Sequence, residues 1–169
     1  MDVRITNVVL SANLSCILNL NDIARNTGNV TYNRKKYSGL IWHHRHIKSK
    51  CFLFHTGRMM CMGNAGVNNA KKDLRMYARL LSKMGYKVTL NIINVVTKSA
   101  VATLGGKLNV KDASITLNGL YEPEIFMALM FRRKSVHFTC FASGKVIMTG
   151  VKKLSSTFTV LAELEMFTL

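Results

Sequence analysis

The sequence predicts an α+β fold made of two tandem copies of one half-domain, and three observations lead to this prediction. The triplet Asn7-Val8-Val9 recurs as Asn94-Val95-Val96, and residues 54–63 recur as 141–150, both at an offset of 87 residues. In and next to these repeated segments, apolar side chains recur at every second position, which is typical of strands. After residue 63 the apolar residues instead recur every three or four positions, which is typical of an amphipathic helix. Only two copies, separated by more than 80 residues, indicate pseudo-two-fold symmetry rather than a solenoid.

Strands are predicted at matching places in the two copies. Each copy has a hairpin, in which a turn glycine, Gly57 or Gly144, is free to adopt positive φ between two β-rich runs. The strand before the hairpin is predicted over 37–46 in the first copy and over 126–133 in the second. A looser match of 32–37 with 121–126, at an offset of 89, precedes these strands.

Helices are predicted after each hairpin and between the early strands. Leu74, Tyr77 and Met84 share the apolar side of a helix that ends at Gly85. Apolar residues from 154 to 167 repeat this scheme at the C-terminus. A short helix over about 22–26 is predicted after the first strand, with 111–113 as its reduced counterpart.

The length of 169 residues suits one domain, and no Pro- or Gly-rich linker divides the copies. We therefore expect a single domain, 1–169, built from repeats 5–86 and 92–169.

Charge is unevenly distributed along the chain. The 24 Lys and Arg residues outnumber the 8 Asp and Glu residues, which gives a net charge of +16. No carboxylate occurs between Ile23 and Lys72 or between Ile125 and Ala162. Segregation of one charge sign to this degree favours a polyanionic partner over a merely solvated basic surface.

Simpler features exclude several protein classes. Polar residues interrupt the N-terminal segment, so no signal peptide is expected, and no run approaches the roughly 18 apolar residues of a membrane helix. We therefore expect a soluble, intracellular protein with no membrane partner. The four cysteines lack Cys-x-x-Cys spacing, which indicates free, buried thiols.

No enzyme, cofactor or metal site is predicted. His43, His44 and His46 alternate along a strand without a Cys-x-x-Cys nearby, so a solvated or phosphate-facing strand end is favoured over metal ligation. Glu122 and Glu124 have no nearby histidine, Ser-centred motif or Asp cluster. A docking or solvated loop is therefore favoured over a catalytic carboxylate pair.

Both faces of the predicted strands are apolar. The face expected under the helices carries Val8, Leu40, Trp42, Leu53, Met59, Cys61, Val95, Leu129, Phe131, Cys140, Val146 and Met148. The opposite face, called the open face below, carries Asn7, Val9, Tyr37, Phe52, Phe54, Met60, Met62, Asn94, Val96, Phe126, Thr139, Phe141, Ile147 and Thr149. Two helices per copy cover only one side of a sheet, so the open face is expected to bind a partner.

The chemistry of the open face suits one polyanion. A widened minor groove of duplex DNA offers an apolar floor of sugars and bases, acceptors that asparagine can meet, and flanking phosphates for Lys and Arg. Aromatic residues near the ends of the face would wedge between base steps and kink the duplex. The same aromatic residues would otherwise be ordinary core residues, but their matching positions in both copies favour the wedge.

Several motifs resemble the TATA-box-binding protein (TBP) family, over nearly the whole chain. They include Cys16-x-Leu18-Asn19-Leu20, Thr56-Gly57-Arg58-Met59, Lys83-Met84-Gly85-Tyr86, Tyr121-Glu122-Pro123-Glu124 and Ser143-Gly144-Lys145-Val146-Ile147. The resemblance implies a pseudo-two-fold saddle, in which one curved antiparallel sheet of two tandem repeats carries helices on its convex face. It also implies a general transcription initiation factor that binds and bends the minor groove of a TATA-like element.

The resemblance assigns site residues by their position in the family's motifs. The kinking aromatic positions fall on Tyr37, Phe54, Phe126 and Phe141, and the two central asparagines on Asn7 and Asn94. The groove-floor positions fall on Val9, Phe52, Met60, Met62, Val96, Thr139, Ile147 and Thr149. The phosphate-contacting positions fall on Lys35, Lys36, Arg58, Arg132 and Lys145.

Protein partners are implied in the same way. The family's docking loop for transcription factor IIB reads Glu122, Pro123, Glu124 and Ile125 here, and its basic helix for other transcription factors carries Lys71, Arg75, Arg79 and Lys83. Transcription factor IIA and TBP-associated factors are further implied partners, and a homodimer is an alternative state in the absence of DNA. The implied location is the nucleus, or the site of viral transcription if a virus encodes the chain.

Departures from the family pattern keep two other functions open. Met60 and Met62 are bulkier than the family's usual Val and Thr, and the hairpin over 132–137 is two residues shorter. These changes suit a TBP-like factor with weak or altered TATA recognition that acts mainly through factor IIA. A module of a different class, which binds RNA or acts as a scaffold, would share the basic charge and the open sheet.

Overall fold

Strands and helices follow the same order in the two halves of the computed structural model, which describes residues 1–169. The first half contains β1 (Asp2–Asn13), α1 (Leu20–Asn26), β2 (Val30–Thr31), β3 (Leu40–Trp42), β4 (Lys50–Leu53), β5 (Arg58–Asn64) and α2 (Val67–Lys83). The second half contains β6 (Ile93–Thr103), α3 (Val110–Thr116), β7 (Leu120–Glu122), β8 (Phe126–Arg133), β9 (Val136–Phe141), β10 (Lys145–Val151), a 3-10 turn (Leu154–Thr157) and α4 (Phe158–Glu165). The predicted duplication of elements is confirmed.

The chain forms two compact units. The first-repeat unit comprises Asn7–Val96, and the second-repeat unit comprises Thr97–Leu169 together with Met1–Thr6. The strand order in the first-repeat unit is β2-β3-β4-β5-β1, and in the second it is β6-β10-β9-β8-β7. Neighbouring strands within each unit are antiparallel. The exact repeat limits, 5–86 and 92–169, stay a prediction.

The short helices α1 and α3 start with the same cap. The Asn19 side chain accepts a hydrogen bond from the Asp22 amide at 3.2 Å, and Asn109 accepts one from the Asp112 amide at 3.3 Å. Each cap satisfies one of the free amides of a helix start, and each aspartate favours the positive end of the helix dipole. Both helices have seven residues, so the prediction that 111–113 is a reduced helix is wrong.

Two predicted elements are shorter in the structure. The strand predicted over 37–46 is limited to β3 because a turn precedes it, in which the amides of Lys36 and Tyr37 both donate to the Asn33 carbonyl. The C-terminal helix predicted over 154–167 begins with a 3-10 turn, where the Thr157 hydroxyl donates to the Leu154 carbonyl at 2.7 Å. Threonine that bonds its own backbone in this way competes with regular helix formation.

The core lies on one face of each unit's strands, as predicted. In the first-repeat unit two rows of buried side chains cross the strands, Leu40-Leu53-Met59-Ala12 and Trp42-Cys51-Cys61-Leu10. The second-repeat unit has the matching rows Leu129-Cys140-Val146-Ala102 and Phe131-Phe138-Met148-Ala100. Helices α2 and α4 each bury an apolar side. None of the helices combines the length and apolar character needed to span a bilayer.

Tyr77 ties α2 to the strands beneath it. Its hydroxyl donates to the Ser49 carbonyl at 2.7 Å and accepts from the His44 amide at 3.0 Å. The ring packs edge-on against Trp42, with the ring centroids 5.1 Å apart. Burial raises the pKa of Tyr77 well above its usual value, so the hydroxyl stays protonated and keeps donating.

Candidate nucleic-acid interface

The open face of the first-repeat unit carries a row of half-buried side chains. Along each strand these side chains alternate with those of the two buried rows. Ile41, Phe52, Met60 and Ser11 lie opposite one another on β3, β4, β5 and β1. Side chains alternate across a strand, which puts this row on the side away from the core. Val9, Phe54 and Met62 are also half-buried. The open face therefore remains accessible, as the sequence predicted.

The second-repeat unit has the matching row. Met130, Thr139, Ile147 and Val101 lie opposite one another on β8, β9, β10 and β6, and all four are half-buried. Thr149 lies next to this row and is exposed. Phe52, Met60, Thr139 and Ile147 were predicted from the sequence to lie on the open face, and Ser11, Ile41, Val101 and Met130, which were not predicted, complete the two rows.

Two aromatic pairs stand on the open face at equivalent places. In the first-repeat unit the rings of Tyr37 and Phe54 meet edge to face, with centroids 5.9 Å apart. In the second-repeat unit Phe126 and Phe141 meet in the same way at 6.2 Å. Tyr37 and Phe126 are 42% and 43% exposed. Each pair thus presents apolar ring surface to a partner while its rings support each other.

Asn7 has a fixed orientation. Its side-chain oxygen accepts a hydrogen bond from the Gly63 amide at 2.7 Å. The neighbouring Val8 is fully buried, so alternation along β1 directs the Asn7 side chain to the open face. Because the oxygen is engaged, the amide nitrogen with its two donor hydrogens is the group that Asn7 offers to a partner.

The structure contradicts the predicted pairing of Asn94 with Asn7. Leu10 lies opposite Cys61, whereas Ala100 lies opposite Met148, which is the counterpart of Cys61 at the offset of 87 seen in the hairpins. Strand β6 therefore matches β1 at an offset of 90 residues, three more than the hairpins. The identity of the two Asn-Val-Val triplets does not set the register of the strands, because register is set by the alternation of buried side chains.

Thr97 and Ser99 occupy the places that were assigned to Asn94 and Val96. Thr97 is the counterpart of Asn7, and Ser99 is the counterpart of Val9, at the offset of 90. Both are half-buried, whereas Asn94 and Val96 are exposed and belong to the first-repeat unit. Asn94 and Val96 are therefore not the second copies of Asn7 and Val9.

Backbone bonds at the strand ends support the corrected register. The Leu14 amide donates to the Gly57 carbonyl at 2.8 Å, and the Leu104 amide donates to the Gly144 carbonyl at 2.9 Å. Leu104 and Leu14 again differ by 90 residues. The prediction that Val95 is buried under the helices is wrong as well, since 39% of Val95 is exposed.

Unpaired cations accompany the open face. Lys35, Lys36, Arg58, Arg132 and Lys145 are all exposed, and the only ion pair of the chain joins Arg25 and Asp22 at 3.7 Å. Arg58 and Lys145 hold equivalent places, as the first residues of β5 and β10. Lys50 and His137 form another equivalent exposed pair, on β4 and β9, which was not predicted from the sequence. None of these side chains has a carboxylate partner, although the Arg132 Nε atom donates to the Lys134 carbonyl at 2.8 Å, so their remaining N–H groups are available to phosphates.

The predicted protein-docking residues are exposed in the structure. Glu122 to Ile125 form a turn closed by a hydrogen bond from the Ile125 amide to the Glu122 carbonyl at 2.9 Å, and Ile125 is 80% exposed. Arg75, Arg79 and Lys83 are exposed on α2, and Lys71 is half-buried, whereas Leu74, Tyr77 and Leu81 of the same helix are buried. Both surfaces are open to partners.

The histidines do not form a metal centre. The rings of His44 and His46 lie 5.8 Å apart, and the Nδ1 atom of His44 accepts from the His46 amide. No group of three or more His, Cys, Asp and Glu side chains is placed to hold a metal ion.

Comparison with known proteins identifies one family. The family model described as "Transcription factor TFIID (or TATA-binding protein, TBP)" matches residues 2–84 and 89–165. The chain is similar to TATA box-binding protein-like 2 of Rattus norvegicus, with 32% identity over 92% of this chain and 46% of the rat protein. It is also 32% identical to TATA-box-binding protein 2 of Arabidopsis thaliana, over 90% of this chain and 78% of that protein. The chain thus spans about half the length of the rat relative.

A solved structure confirms the predicted fold class. The structure of Methanococcus jannaschii TBP matches 99% of this chain and 98% of its own chain, with a TM-score of 0.87 and 26% sequence identity. The predicted TBP-like α+β fold class is therefore correct. The matched family consists of DNA-binding transcription factors rather than enzymes, which agrees with the sequence prediction.

Proposed function

The chain belongs to the TATA-binding protein family, and from this premise we propose that it is a general transcription initiation factor that binds the minor groove of a TATA-like element and bends the DNA. One observation carries the proposal: each repeat unit places an edge-to-face aromatic pair and a half-buried apolar row on the same accessible sheet face. Such a surface suits a widened minor groove, whose floor of sugars and base edges is largely apolar.

The apolar rows, the aromatic pairs, Asn7 and the exposed cations each contact a different part of the DNA. The rows around Met60 and Ile147 bury the groove floor. Phe141 and Phe126 insert at one kink and Phe54 with Tyr37 at the other. Unstacking a base step costs about a few kcal/mol, which the contacts made by the bent duplex offset. The amide nitrogen of Asn7 donates to groove acceptors, and the exposed Lys and Arg side chains bind phosphates.

Protein partners complete the proposed function. The turn from Glu122 to Ile125 supplies two carboxylates and an exposed apolar side chain for transcription factor IIB. The exposed cations of α2 supply a basic surface for factor IIA and for TBP-associated factors. The nucleus, or a site of viral transcription, is the proposed location, and the open face is the proposed homodimer surface in the absence of DNA.

Binding to a TATA duplex is expected to weaken steeply with salt, because each neutralised phosphate releases counterions. Five phosphate contacts predict a slope of log K against log salt concentration of about −4.5. Replacing Arg58 with alanine should make the slope shallower by about 1, because one contact is lost. Fluorescence anisotropy titrations between low and high salt measure these slopes.

The matched control is Arg25→Ala, which removes the one cation that already has a carboxylate partner. This variant should keep the wild-type slope. A slope near zero for the wild type, or preference for single-stranded RNA over duplex DNA, would contradict the proposed function and favour the RNA-binding alternative. Displacement from the duplex by a minor-groove drug is expected.

Reversing charge in the docking turn is expected to disrupt the complex with factor IIB. The double variant Glu122→Lys with Glu124→Lys should weaken that complex at least about 10-fold, because it places like charges where opposite charges meet. DNA affinity should not fall, since neither residue lies on the open face. Pull-down of factor IIB on preformed DNA complexes measures the effect.

The single reversal Glu163→Lys on α4 is the control for the single reversal Glu122→Lys, and it should leave factor IIB binding unchanged. Equal loss in the two variants would show a general charge effect rather than a docking turn.

A second candidate function has its own support. Phe52 and Met60 in the first-repeat row and Met62 beside it are large side chains, whereas Thr139 and Thr149 of the second-repeat unit are small, so the two units do not offer the same floor. Such a face suits a TBP-like factor with altered TATA preference that depends on factor IIA. Selection from a random duplex pool that enriches no motif, together with tight factor IIA binding, would favour this version.

A further inference from the structure

We propose that the two repeats read the minor groove with different hydrogen-bonding chemistry: Asn7 of the first-repeat unit offers only donors, whereas its counterpart in the second-repeat unit is the hydroxyl of Thr97. The inference rests on the proposed minor-groove binding and specifies which base pairs each half accepts. The first half requires A·T at its centre, and the second half also accepts G·C.

The register of β6 excludes Asn94 from the central position. Ala100 and Ala102 are fully buried opposite Met148 and Val146, which directs alternate residues of β6 to the open face. Thr97 and Ser99 are those alternate residues. Asn94 lies three positions before Thr97.

The first half is restricted because the acceptor of Asn7 is engaged. The Gly63 amide binds the Asn7 side-chain oxygen at 2.7 Å, so the side chain cannot rotate its oxygen toward the DNA without losing this bond. The free amide nitrogen has only donor hydrogens. In the minor groove, A·T pairs present only acceptors, whereas G·C adds a donor, the N2 amino group of guanine. A guanine at this place would set donor against donor.

The second half is adaptable because a hydroxyl is both donor and acceptor. The Thr97 Oγ1 atom lies 3.5 Å from the Val151 carbonyl, at the outer limit of hydrogen bonding. The hydroxyl is therefore free to donate to adenine N3 or thymine O2, or to accept from the guanine amino group. Ser99, the next residue of β6 on the open face, has the same capacity.

The neighbouring positions extend this asymmetry. Thr139 and Thr149 stand in the second-repeat unit where the first has Phe52 and Met62. Two further hydroxyls thus replace purely apolar side chains. The trend is reversed at two places, where Val101 is the counterpart of Ser11 and Phe126 is the counterpart of Tyr37. The second half has more groups able to accept from guanine.

Selection from a random duplex pool tests the base preference directly. The wild type should enrich an asymmetric motif, with one half restricted to A·T and the other tolerant of G·C at its centre. Thr97→Asn should restrict the second half to A·T, and the reciprocal Asn7→Thr should relax the first. A symmetric wild-type motif, or swaps that leave the motif unchanged, would overturn the proposal.

Affinities of alanine variants provide a second readout. On an all-A·T duplex, Asn7→Ala should raise the dissociation constant at least about 5-fold, because each good base contact discriminates by that amount or more. Asn94→Ala should change it less than about 2-fold, because Asn94 does not lie at the central position. Equal losses in the two variants would restore Asn94 as the second central asparagine and overturn the proposal.

Failure of the inference differs from failure of the proposed function. A wild-type protein that binds no duplex overturns both, whereas a wild type that binds and bends DNA with a symmetric motif overturns only the asymmetric reading. Thermal unfolding midpoints of all variants check the fold, and the gain of restriction in Thr97→Asn requires a folded, binding protein.

Discussion

Replacing both Phe126 and Phe141 with alanine is expected to abolish the kink at one end of the DNA site. The two rings support each other edge to face at 6.2 Å on the accessible side of β8 and β9. A methyl group in place of each ring cannot hold an unstacked base step open. Contacts between a base and an aromatic side chain contribute about 1–3 kcal/mol each, so the loss of two predicts an affinity at least about 30-fold lower.

Fluorescence energy transfer between dyes at the two ends of a TATA duplex measures the bend, and anisotropy measures the affinity. Phe158→Ala is the matched control because Phe158 is also a half-exposed phenylalanine, at 45%, but lies on α4. The control should bend DNA as the wild type does. Normal bending by the double variant would contradict the proposal that Phe126 and Phe141 insert between base steps and kink the DNA.

The hairpins of the fold were predictable from local chemistry. Gly57 and Gly144 have φ angles of 93° and 86°, which only glycine adopts readily, and both follow an apolar run that ends in an aromatic residue. The turn glycines and the alternation of apolar side chains indicate the same hairpin. The predicted repeat of the hairpin at an offset of 87 residues and the predicted faces of its strands were therefore both correct. The aromatic pairs followed from the same segments.

The register of β6 was not predictable from residue identity. Asn7-Val8-Val9 and Asn94-Val95-Val96 are identical in sequence. The strand pairing nevertheless makes Thr97 the counterpart of Asn7, and these two residues share only the ability to form polar contacts. The first strand buries Leu10 where β6 buries the smaller Ala100, so the hydrophobic signal of the second copy is weak. Pairing between strands then decides the register.

A signal for the correct register was nevertheless present. Asn109 with Asp112 repeats Asn19 with Asp22 at an offset of 90, and both asparagines cap a helix. Caps with this spacing would have shown that the second copy is three residues shorter than the first between its short helix and its hairpin. Ile41 and Met130 were missed for another reason: neither has distinctive chemistry, and only the pairing of strands places them in the open rows.

The turn at Gly144 is expected to be the most sensitive point of the second-repeat hairpin. Its φ of 86° strains any residue with a Cβ atom, and a Cβ built there would collide with the backbone carbonyl oxygen of Gly106. This carbonyl belongs to the backbone of the loop beside the turn, so it cannot move away as a flexible side chain would. Gly144→Ala should therefore lower the free energy of unfolding by at least about 2 kcal/mol.

Chemical denaturation of the purified chain measures this loss, and the corresponding fall in the unfolding midpoint is about 5 °C or more. Gly28→Ala is the matched control, because Gly28 has no positive φ and a Cβ there would meet no atom within 4 Å. The control should change stability by less than about 0.5 kcal/mol.

Because the turn also positions Phe141 and Lys145, Gly144→Ala should weaken DNA binding even at temperatures where the variant is folded. Equal stability of the two variants would mean that the turn tolerates a side chain. Close packing against the Gly106 carbonyl would then not be the reason that position 144 requires glycine.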